Sequence, residues 1–315
     1  MSGGTSGKIL RREAWPDVTG RPGLTQGRYG VVGNLELVAP ATDDGLWVGW
    51  FNCDPVESYS QAGVQRWSGA MRFARGRRYV SADVTQVDAG PDYLEVVALT
   101  RGGTLRRHVW SPDLGFVDLG ELAVAVAACS PVVQNPVDGS LHIATAGLDG
   151  RVQVLRGRIG PGYPTLTFDV VEPGIAGVAA VDAAWHDGHL DLVTVNRYDV
   201  AQVRCPAEGL IGTGVGPALA ARLTVEPDGG RLLVARGPSG RVTARRLDDL
   251  SGVDVGFADD LVVAPVRGDE GAQCHLLTRR GGQLWHRRLD LPGAGAQLVE
   301  AQVWVQPGTT TVHRS

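Results

Sequence analysis

The sequence predicts an all-β fold, a seven-bladed β-propeller, with six blades as the alternative. Two observations carry this prediction: a short hairpin motif recurs along the whole chain, and its copies are spaced as propeller blades are. Residues 138–157 form the clearest copy, in which two runs of alternating apolar residues flank a turn at Asp149 and Gly150. Period-two alternation around an Asp-Gly turn is the strongest short-range signal of a β-hairpin.

The spacing of the copies sets the size of the repeat. Six first-strand positions correspond to one another: Leu35, Leu94, Leu141, Leu190, Leu232 and Cys274. They are 42 to 59 residues apart, and an all-strand repeat of about 40 to 50 residues is typical of four-stranded propeller blades. A strand precedes each hairpin and a weaker strand follows it, which predicts four strands per blade in inner-to-outer order.

The blade count depends on the two ends of the chain. The stretch that begins at Ala301 alternates like a seventh first strand, and the 315 residues allow about 45 residues for each of seven blades. We therefore expect a last blade closed by both termini, with its inner strands from the C-terminal residues and its outer edge from the N-terminal residues. Because the repeats run end to end, residues 1–315 are predicted to form a single domain.

Composition restricts the classes of partner. The formal net charge is −4 and no block of basic residues occurs, so nucleic acid is not an expected partner. No apolar run reaches about 18 residues and no secretory leader is visible, so we expect no membrane association and a cytoplasmic location, with export by another route left open. Lys8 is the only lysine beside 44 glycines, which is typical of GC-rich actinobacterial coding. Four widely spaced cysteines are predicted to be small buried residues: Cys53, Cys129, Cys205 and Cys274.

The sequence contains no familiar catalytic or cofactor-binding motif, so no cofactor is predicted. His186 and His189 are close in sequence, but a strand-turn-strand context does not make their side chains converge, and no metal site is predicted. Three carboxylates precede or begin inner strands, namely Asp83, Asp182 and Asp260. They are interpreted either as ordinary strand-end caps or as a cluster at the mouth of the central channel, where they would bind a cation or act as acid and base.

The longest interval between copies contains an insertion at residues 50–80. It holds six aromatic residues and five arginines: Trp50, Phe51, Tyr59, Trp67, Phe73 and Tyr79, with Arg66, Arg72, Arg75, Arg77 and Arg78. A long irregular segment on a rigid scaffold often carries function. We therefore interpret it either as a binding segment or as the outer hairpin of the first blade with a longer loop.

The repeat resembles a known family of lectins. Its consensus is a leucine strand, an Asp-Gly turn and then Leu-Trp-His-Arg, best seen in RRGGQLWHRRLDLPG from Arg279 and ATDDGLWVGWFN from Ala41. This consensus resembles the seven-bladed propeller lectins of the Photorhabdus fucose-lectin type, and also sialidase-like propeller repeats. The resemblance implies a rigid ring with sugar sites in clefts between adjacent blades, lined by aromatic residues. A tryptophan soon after the turn glycine is the family's typical position, and Trp47 and Trp285 occupy it here.

The candidate ligand-binding residues follow from what a sugar requires. A flat apolar face suits the C–H side of the ring, and fixed polar groups suit its hydroxyls. Trp47 with Trp50 offers one such combination, and the second is Trp285 with His286 and Arg287. Trp67 in the insertion is a further candidate. Packing of these tryptophans between sheets is the structural alternative.

Three functional hypotheses remain open on the sequence alone. The favoured one is a non-catalytic, lectin-like module that recognises a carbohydrate or small ligand in inter-blade clefts or on the face of the ring. The second is a protein-interaction scaffold that uses residues 50–80. The third is an enzyme, a hydrolase or a biosynthetic tailoring enzyme, with its site at the channel mouth.

Overall fold

A computed structural model describes residues 17–54, 67–68, 70–89, 92–196, 198, 200–226, 228–268, 271–289 and 298–302. This part of the chain is built from 25 β-strands. Within the described residues no helix is long and apolar enough to cross a membrane. Because every named secondary-structure element of the described residues is a strand, the all-β prediction is confirmed.

The strands form six antiparallel sheets around a ring, which we number as blades I to VI. Blade I contains β1 (Gly23–Gln26), β2 (Leu35–Pro40), β3 (Leu46–Phe51) and β4 (Met71–Phe73). Blade II contains β5 (Tyr79–Val87), β6 (Tyr93–Thr100), β7 (Leu105–Ser111) and β8 (Gly115–Ala123). Blade III contains β9 (Val126–Cys129), β10 (Val133–Gln134), β11 (Leu141–Gly147), β12 (Val152–Gly157) and β13 (Phe168–Val171).

The second half of the ring has the same organisation. Blade IV contains β14 (Val178–His186), β15 (His189–Asn196), β16 (Ala201–Cys205) and β17 (Gly209–Ile211). Blade V contains β18 (Ala220–Val225), β19 (Arg231–Arg236), β20 (Arg241–Arg246) and β21 (Gly252–Phe257). Blade VI contains β22 (Asp260–Gly268), β23 (Gly271–Arg280), β24 (Gln283–Leu289) and β25 (Leu298–Gln302). All six positions that defined the repeat fall in the strand that pairs with the innermost strand of a blade, or in blade III with the two inner strands β9 and β10.

The prediction of seven blades is wrong, and the six-blade alternative is correct for the described residues. Ala301 does not begin the inner strand of a new blade. It pairs with His286 as part of β25, which is the outermost strand of blade VI. The alternation after residue 298 is real, but an outer strand can show the same alternation as an inner one. The N-terminal stretch expected at the outer edge of the last blade is residues 7–20. Its residues 7–16 lie outside the described residues, and residues 17–20 lie between the last and first blades rather than forming a strand.

Apolar clusters between neighbouring blades hold the ring together. The described residues form six such clusters, one at each interface between successive blades, including the interface between blades VI and I. At the inner edge, β1 packs closely on β5 because Gly23 has no side chain. A Cβ atom at Gly23 would lie 2.4 Å from the Cα of Asp83 and 2.8 Å from the carbonyl oxygen of Ala82.

The segment before β1 ties three blades to one another. The backbone N–H of Val18 donates to the carbonyl of Gly282 in blade VI at 2.8 Å, and Val18 also bridges to Ala41 beside blade I. Arg21 then bridges to Ser81 on the inner strand of blade II. Residues 17–22 therefore close the ring across the point where its last and first blades meet.

Candidate binding cleft between blades I and II

Strand β3 presents its side chains alternately to its two neighbouring blades. Val48 packs with residues of blade II, whereas Trp47 packs in the cluster shared with blade VI. Trp50 has the same parity as Val48 and faces blade II. Trp47 and Trp50 therefore lie on opposite faces of β3, and the structure does not bring this predicted combination together.

A cleft of about 270 Å³ opens between blades I and II. It lies where β1 leads into β2 and where β7 leads into β8. Eleven residues line it: Arg28, Tyr29, Asn34, Glu36, Val48, Trp50, Met71, Asp92, Leu94, Trp110 and Phe116. Apolar and aromatic walls with a few polar groups are the usual composition of a small-molecule site.

Three half-buried aromatic side chains contribute to the walls: Trp50, Trp110 and Phe116. The ring of Phe116 stacks on Phe73 of blade I, with 3.8 Å between centroids and an interplanar angle of 17°. Trp110 lies 6.4 Å from Phe116 at a tilt of 43°. Contacts across the interface therefore fix the aromatic wall before a ligand arrives, which limits the conformational entropy that binding would cost.

Glu36 is the central polar group of the cleft. It pairs in register with Trp50 across β2 and β3, so both side chains belong to the same face of blade I. Burial and the neighbouring Asp92 carboxylate raise the pKa of Glu36 to about 8, although a hydrogen bond with Asn34 opposes them. Burial also raises the pKa of Asp92. At neutral pH, Glu36 is mostly protonated and can both donate and accept hydrogen bonds.

The connection from β1 to β2 completes the rim of the cleft. Gly27 allows Glu36 to lie against this connection, since a Cβ atom there would come within 2.9 Å of the Glu36 Oε1 atom. Arg28 on the same connection donates from Nη2 to the Asp88 Oδ1 atom of the β5–β6 turn at 2.8 Å. This exposed ion pair spans the two blades beside the cleft.

Trp47 is a core residue rather than part of a cleft. Only 6% of it is exposed, and the guanidinium of Arg72 lies 5.3 Å from the centroid of its ring. Arg72 is itself held by the side chains of Asp43 and Asp44. The position that resembles the typical sugar platform is thus covered by an ion-pair network at the edge of blade I.

Trp67 and His286 meet at the interface between blades VI and I. Their rings contact edge to face at 5.5 Å, and Phe51 packs against both. His286 shares a 2.7 Å hydrogen bond with His275. Burial lowers the pKa of His275 to about 4 and that of His286 to about 3, so both imidazoles are neutral at pH 7. These four rings fill the interface as a packed cluster.

Trp285 and Arg287 face away from His286, toward blade V, because successive residues of β24 alternate. Trp285 is half-buried, and the Arg280 guanidinium lies 5.7 Å from its ring centroid. Arg287 is buried beside Gly256, where a Cβ atom would lie 3.7 Å from its Nη1 atom. The predicted set of Trp285, His286 and Arg287 is therefore divided between two interfaces.

The interface between blades II and III shows how the chain fills an equivalent position. Glu95 holds in blade II the position that Glu36 holds in blade I. Glu95 pairs with Thr85 of the inner strand, as Glu36 pairs with Thr25. The Tyr163 hydroxyl donates to Glu95, and the Tyr163 ring meets Tyr93 edge to face at 4.9 Å.

Arg107 completes the closure of this second interface. Its Nε atom donates to the Glu95 Oε2 atom at 2.8 Å, and its Nη1 atom donates to the carbonyl of Pro164 at 2.6 Å. At this interface the protein itself therefore fills the space beside Glu95, with the ring and the hydroxyl of Tyr163. The corresponding space next to Glu36 is open.

Asp83 and Asp182 do converge near the axis of the ring, but two arginines neutralise them. Arg222 donates from Nη1 to Asp182 at 2.7 Å and from Nη2 to Asp83 at 3.5 Å, and Arg21 donates to Asp83. Both carboxylates are almost completely buried. Burial raises the pKa of Asp182, while Arg222 and the Leu223 N–H oppose this shift.

Asp260 is not part of the axial cluster. Arg279 Nη2 donates to it at 2.7 Å across β22 and β23, and a fifth of its side chain remains exposed. The register explains the difference, because Val262 rather than Asp260 holds the position in β22 that Asp83 and Asp182 hold in their strands. The predicted cluster of three carboxylates is therefore a pair of carboxylates with two arginines.

Sequence reasoning missed Glu36, Trp110 and Phe116 as cleft residues, and it missed Arg21 and Arg222 as axial residues. A usable signal existed for the glutamate, since Leu35–Glu36 and Leu94–Glu95 repeat the same dipeptide at the same register. A charged residue at an alternating position that faces another blade indicates either an ion pair or a site. Among the described residues no cluster of three or more potential metal ligands occurs.

Comparison with known proteins supports the fold. No protein-family model and no curated protein sequence matches the chain. Among solved structures, AofleA from Arthrobotrys oligospora is similar with a TM-score of 0.64 at 11% identity, over 94% of this chain and 90% of that one. The fucose-specific lectin from Aleuria aurantia gives a TM-score of 0.65 at 9% identity, over 93% and 99% of the two chains.

A third structure, the SapL1 lectin in complex with α-methyl fucoside, gives a TM-score of 0.61 at 13% identity, over 91% of this chain and 97% of that one. A further structure of the Aleuria aurantia lectin is described as a six-bladed β-propeller with a novel fucose recognition mode. At these low identities the likeness is one of fold. The chain thus shares its fold with these structures, and its six described blades agree with the six-bladed propeller of the Aleuria aurantia lectin.

Proposed function

We propose that this protein is a non-catalytic, lectin-like module that binds a carbohydrate in the cleft between blades I and II. The observation that carries the proposal is the combination of Trp50, Trp110 and Phe116 with Glu36 and Asn34 around one open space of about 270 Å³. A sugar has an apolar C–H face and a polar hydroxyl rim, and it needs surfaces of both kinds in one cleft.

Different residues of the cleft would contact the apolar face and the hydroxyl groups of such a ligand. The indole of Trp50 lies on the same face of blade I as Glu36, so a ring held against the indole would present its hydroxyls toward the carboxyl group. Protonated Glu36 can donate one hydrogen bond and accept another, as a sugar hydroxyl can. The solved structures of similar fold include complexes with fucosides, so methyl α-L-fucoside is the first sugar to test.

Titration calorimetry with Trp50→Ala tests the proposal. We expect the wild-type protein to bind a neutral monosaccharide, in the first instance methyl α-L-fucoside, and Trp50→Ala to weaken this binding about tenfold or more through loss of the stacking surface. Trp285→Ala is the matched control, because Trp285 is also a half-buried tryptophan but faces a different interface. A glycan array extends the search to other sugars.

Two outcomes would contradict the proposal. One is the absence of binding at millimolar concentrations for every sugar tested. The other is an equal loss of binding in Trp50→Ala and Trp285→Ala, which would place the ligand elsewhere or indicate a general effect on folding. Thermal unfolding of both variants shows whether an equal loss reflects a ligand bound elsewhere or a general effect on folding.

The two other hypotheses stand on different residues. A protein-binding role for residues 50–80 stays a prediction, since residues 55–66 and 69 lie outside the described residues. We propose a structural role for Asp83 and Asp182, because both carboxylates are buried and paired with arginines rather than directed at an open space. A reaction at the channel mouth would have to break those ion pairs first.

A further inference from the structure

A second hollow, of about 380 Å³, lies at the other end of blade II. It is formed by the segment before β5, the β6–β7 turn and the adjoining parts of β7 and β8. Four arginines line it: Arg77, Arg78, Arg101 and Arg106. Thr100, Gly102, Thr104 and Glu121 complete the lining.

The arginine hollow is separate from the candidate sugar cleft. Arg106 and Trp110 lie on the same face of β7, but they are four residues apart, which is about 13 Å along a strand. His108 occupies the face between them and packs against Phe73 at 5.9 Å and Tyr79 at 6.2 Å. This packed layer divides the interface, so occupation of one space does not depend on the other.

The charges of the hollow are not balanced. Buried Arg106 pairs with Asp118 at 2.9 Å and with Glu121 at 3.4 Å, and exposed Arg77 reaches Asp118 at 3.6 Å. Arg78 and Arg101 are exposed, and neither forms an ion pair with any other described residue. Four guanidinium groups therefore face two carboxylates, which leaves two positive charges at the open side.

A backbone hydrogen bond holds the two exposed arginines, Arg78 and Arg101, next to each other. The N–H of Arg101 donates to the carbonyl of Arg78 at 2.9 Å, which joins the segment before β5 to the β6–β7 turn. That turn is closed by Thr100, whose hydroxyl oxygen accepts from the Thr104 N–H at 3.0 Å while its own proton is left to donate. Gly102 leaves the space above the turn open, since a Cβ atom there would meet only the Thr100 hydroxyl at 3.9 Å.

We propose that this hollow is an anion-binding site for a tetrahedral oxyanion, a sulfate or phosphate group, held by Arg78, Arg101 and the Thr100 hydroxyl. Guanidinium groups present planar forks of N–H donors that match the paired oxygens of such a group, and they retain their charge at any physiological pH. The group can belong to a sulfated saccharide or to a phosphorylated metabolite, since both offer the same three outer oxygens. The site is independent of the proposed sugar cleft.

Titration calorimetry at constant ionic strength tests the proposal with inorganic sulfate and inorganic phosphate as probes and chloride as the balancing anion. We expect saturable binding of at least one probe to the wild-type protein, and about tenfold weaker binding in the double variant Arg78→Gln with Arg101→Gln. The control is Arg151→Gln with Arg241→Gln, which removes the same charge from two exposed arginines on blades III and V. Trp50→Ala should leave anion binding unchanged.

The proposal is overturned if neither probe binds above the chloride background, or if the control double variant loses binding as strongly as Arg78→Gln with Arg101→Gln. Both substituted pairs are exposed, and thermal unfolding verifies that the variants remain folded. Glucose 6-sulfate and glucose 6-phosphate, compared with glucose, then distinguish the two sources of the group. Tighter binding of either ester than of its inorganic anion would support the proposal and identify the source.

Discussion

Glu36 is a titrating group inside a proposed binding cleft, and its pKa of about 8 has two measurable consequences. The first concerns the ligand. Because Glu36 is mostly protonated below pH 7, Glu36→Gln keeps one donor and one acceptor in the same place and should bind sugar within about threefold of the wild type at pH 6. Above pH 8 the wild-type carboxylate can no longer donate, so its affinity should change with pH while that of Glu36→Gln stays constant. Calorimetry at pH 6 and pH 9 measures both.

The second consequence concerns stability. The folded-state pKa of Glu36 is raised, so between about pH 4.5 and pH 8 the folded protein holds a proton that the unfolded chain has released. Stability contributed by this group is therefore present at low pH and declines as the pH rises through that window, by up to about 1.4 kcal/mol for each pH unit. Denaturant unfolding of Glu36→Gln across the window should show a flatter profile than the wild type. Identical profiles would mean that Glu36 titrates normally.

At the scale of single residues, the sequence suggests which side chains would suit a ligand, but it does not show which residues surround them in the fold. Trp50 was predicted as a ligand-binding candidate and does line the open cleft, but its predicted companion Trp47 is in the core. A period-two pattern says that adjacent residues point to opposite faces, yet it does not say which face is filled. That depends on side chains from another blade, such as Arg72 over Trp47 and Trp110 near Trp50.

At the scale of strands, the close approach of β1 to β5 depends on one glycine. Gly23→Ala would place a Cβ atom 2.4 Å from the Cα of Asp83, and backbone on both sides would have to move. We expect a loss of about 2–4 kcal/mol in the free energy of unfolding. Gly160→Ala is the control, since its Cβ would meet nothing within 4 Å, and it should change stability by less than about 1 kcal/mol. Equal stability of the two variants in denaturant titrations would show that β1 does not need this contact.

The strands themselves were predictable because short apolar runs recur along the chain, and four of the six turns between them are Asp-Gly or Gly-Gly. The register of individual strands was harder to predict. Leu232 was aligned with Leu35 and Leu94, but Arg231 holds the equivalent register in blade V, because Arg222 pairs with Val234 as Asp83 pairs with Val97. A run such as Leu232, Leu233 and Val234 is apolar on both faces, so it carries no alternation from which a one-residue displacement could be recognised.

At the scale of the whole molecule, an axial network of two arginines and two aspartates connects blades that are not neighbours. Arg222 of blade V contacts Asp182 of blade IV and also Asp83 of blade II. Removing one member of a buried network leaves the others uncompensated, so Arg222→Met should cost about 3–5 kcal/mol. Adding Asp182→Asn to Arg222→Met should recover part of this loss, because it removes the stranded charge. Additive losses in a double-mutant cycle would show that the two residues do not interact.

The blade count is also a property of the whole molecule, and the sequence could not decide it. The repeat length allowed six or seven blades, and β25 alternates as an inner strand would. What distinguishes the possibilities is the pairing of β25 with β24 and the packing of blade VI against blade I, and both are contacts between distant parts of the chain. The inner-to-outer order of the strands, which is a local feature, was predicted correctly, and the predicted four strands per blade hold for every described blade except III, whose inner edge is divided into β9 and β10.

The proposed sugar site can be tested most directly by a crystal structure of the protein soaked with methyl α-L-fucoside, or with the monosaccharide that binds best in calorimetry. We expect ligand density between blades I and II, with the sugar ring against Trp50 and a hydroxyl within hydrogen-bond distance of Glu36. Density at another interface, or an empty cleft at a saturating sugar concentration, would contradict the assignment of this cleft as the carbohydrate site.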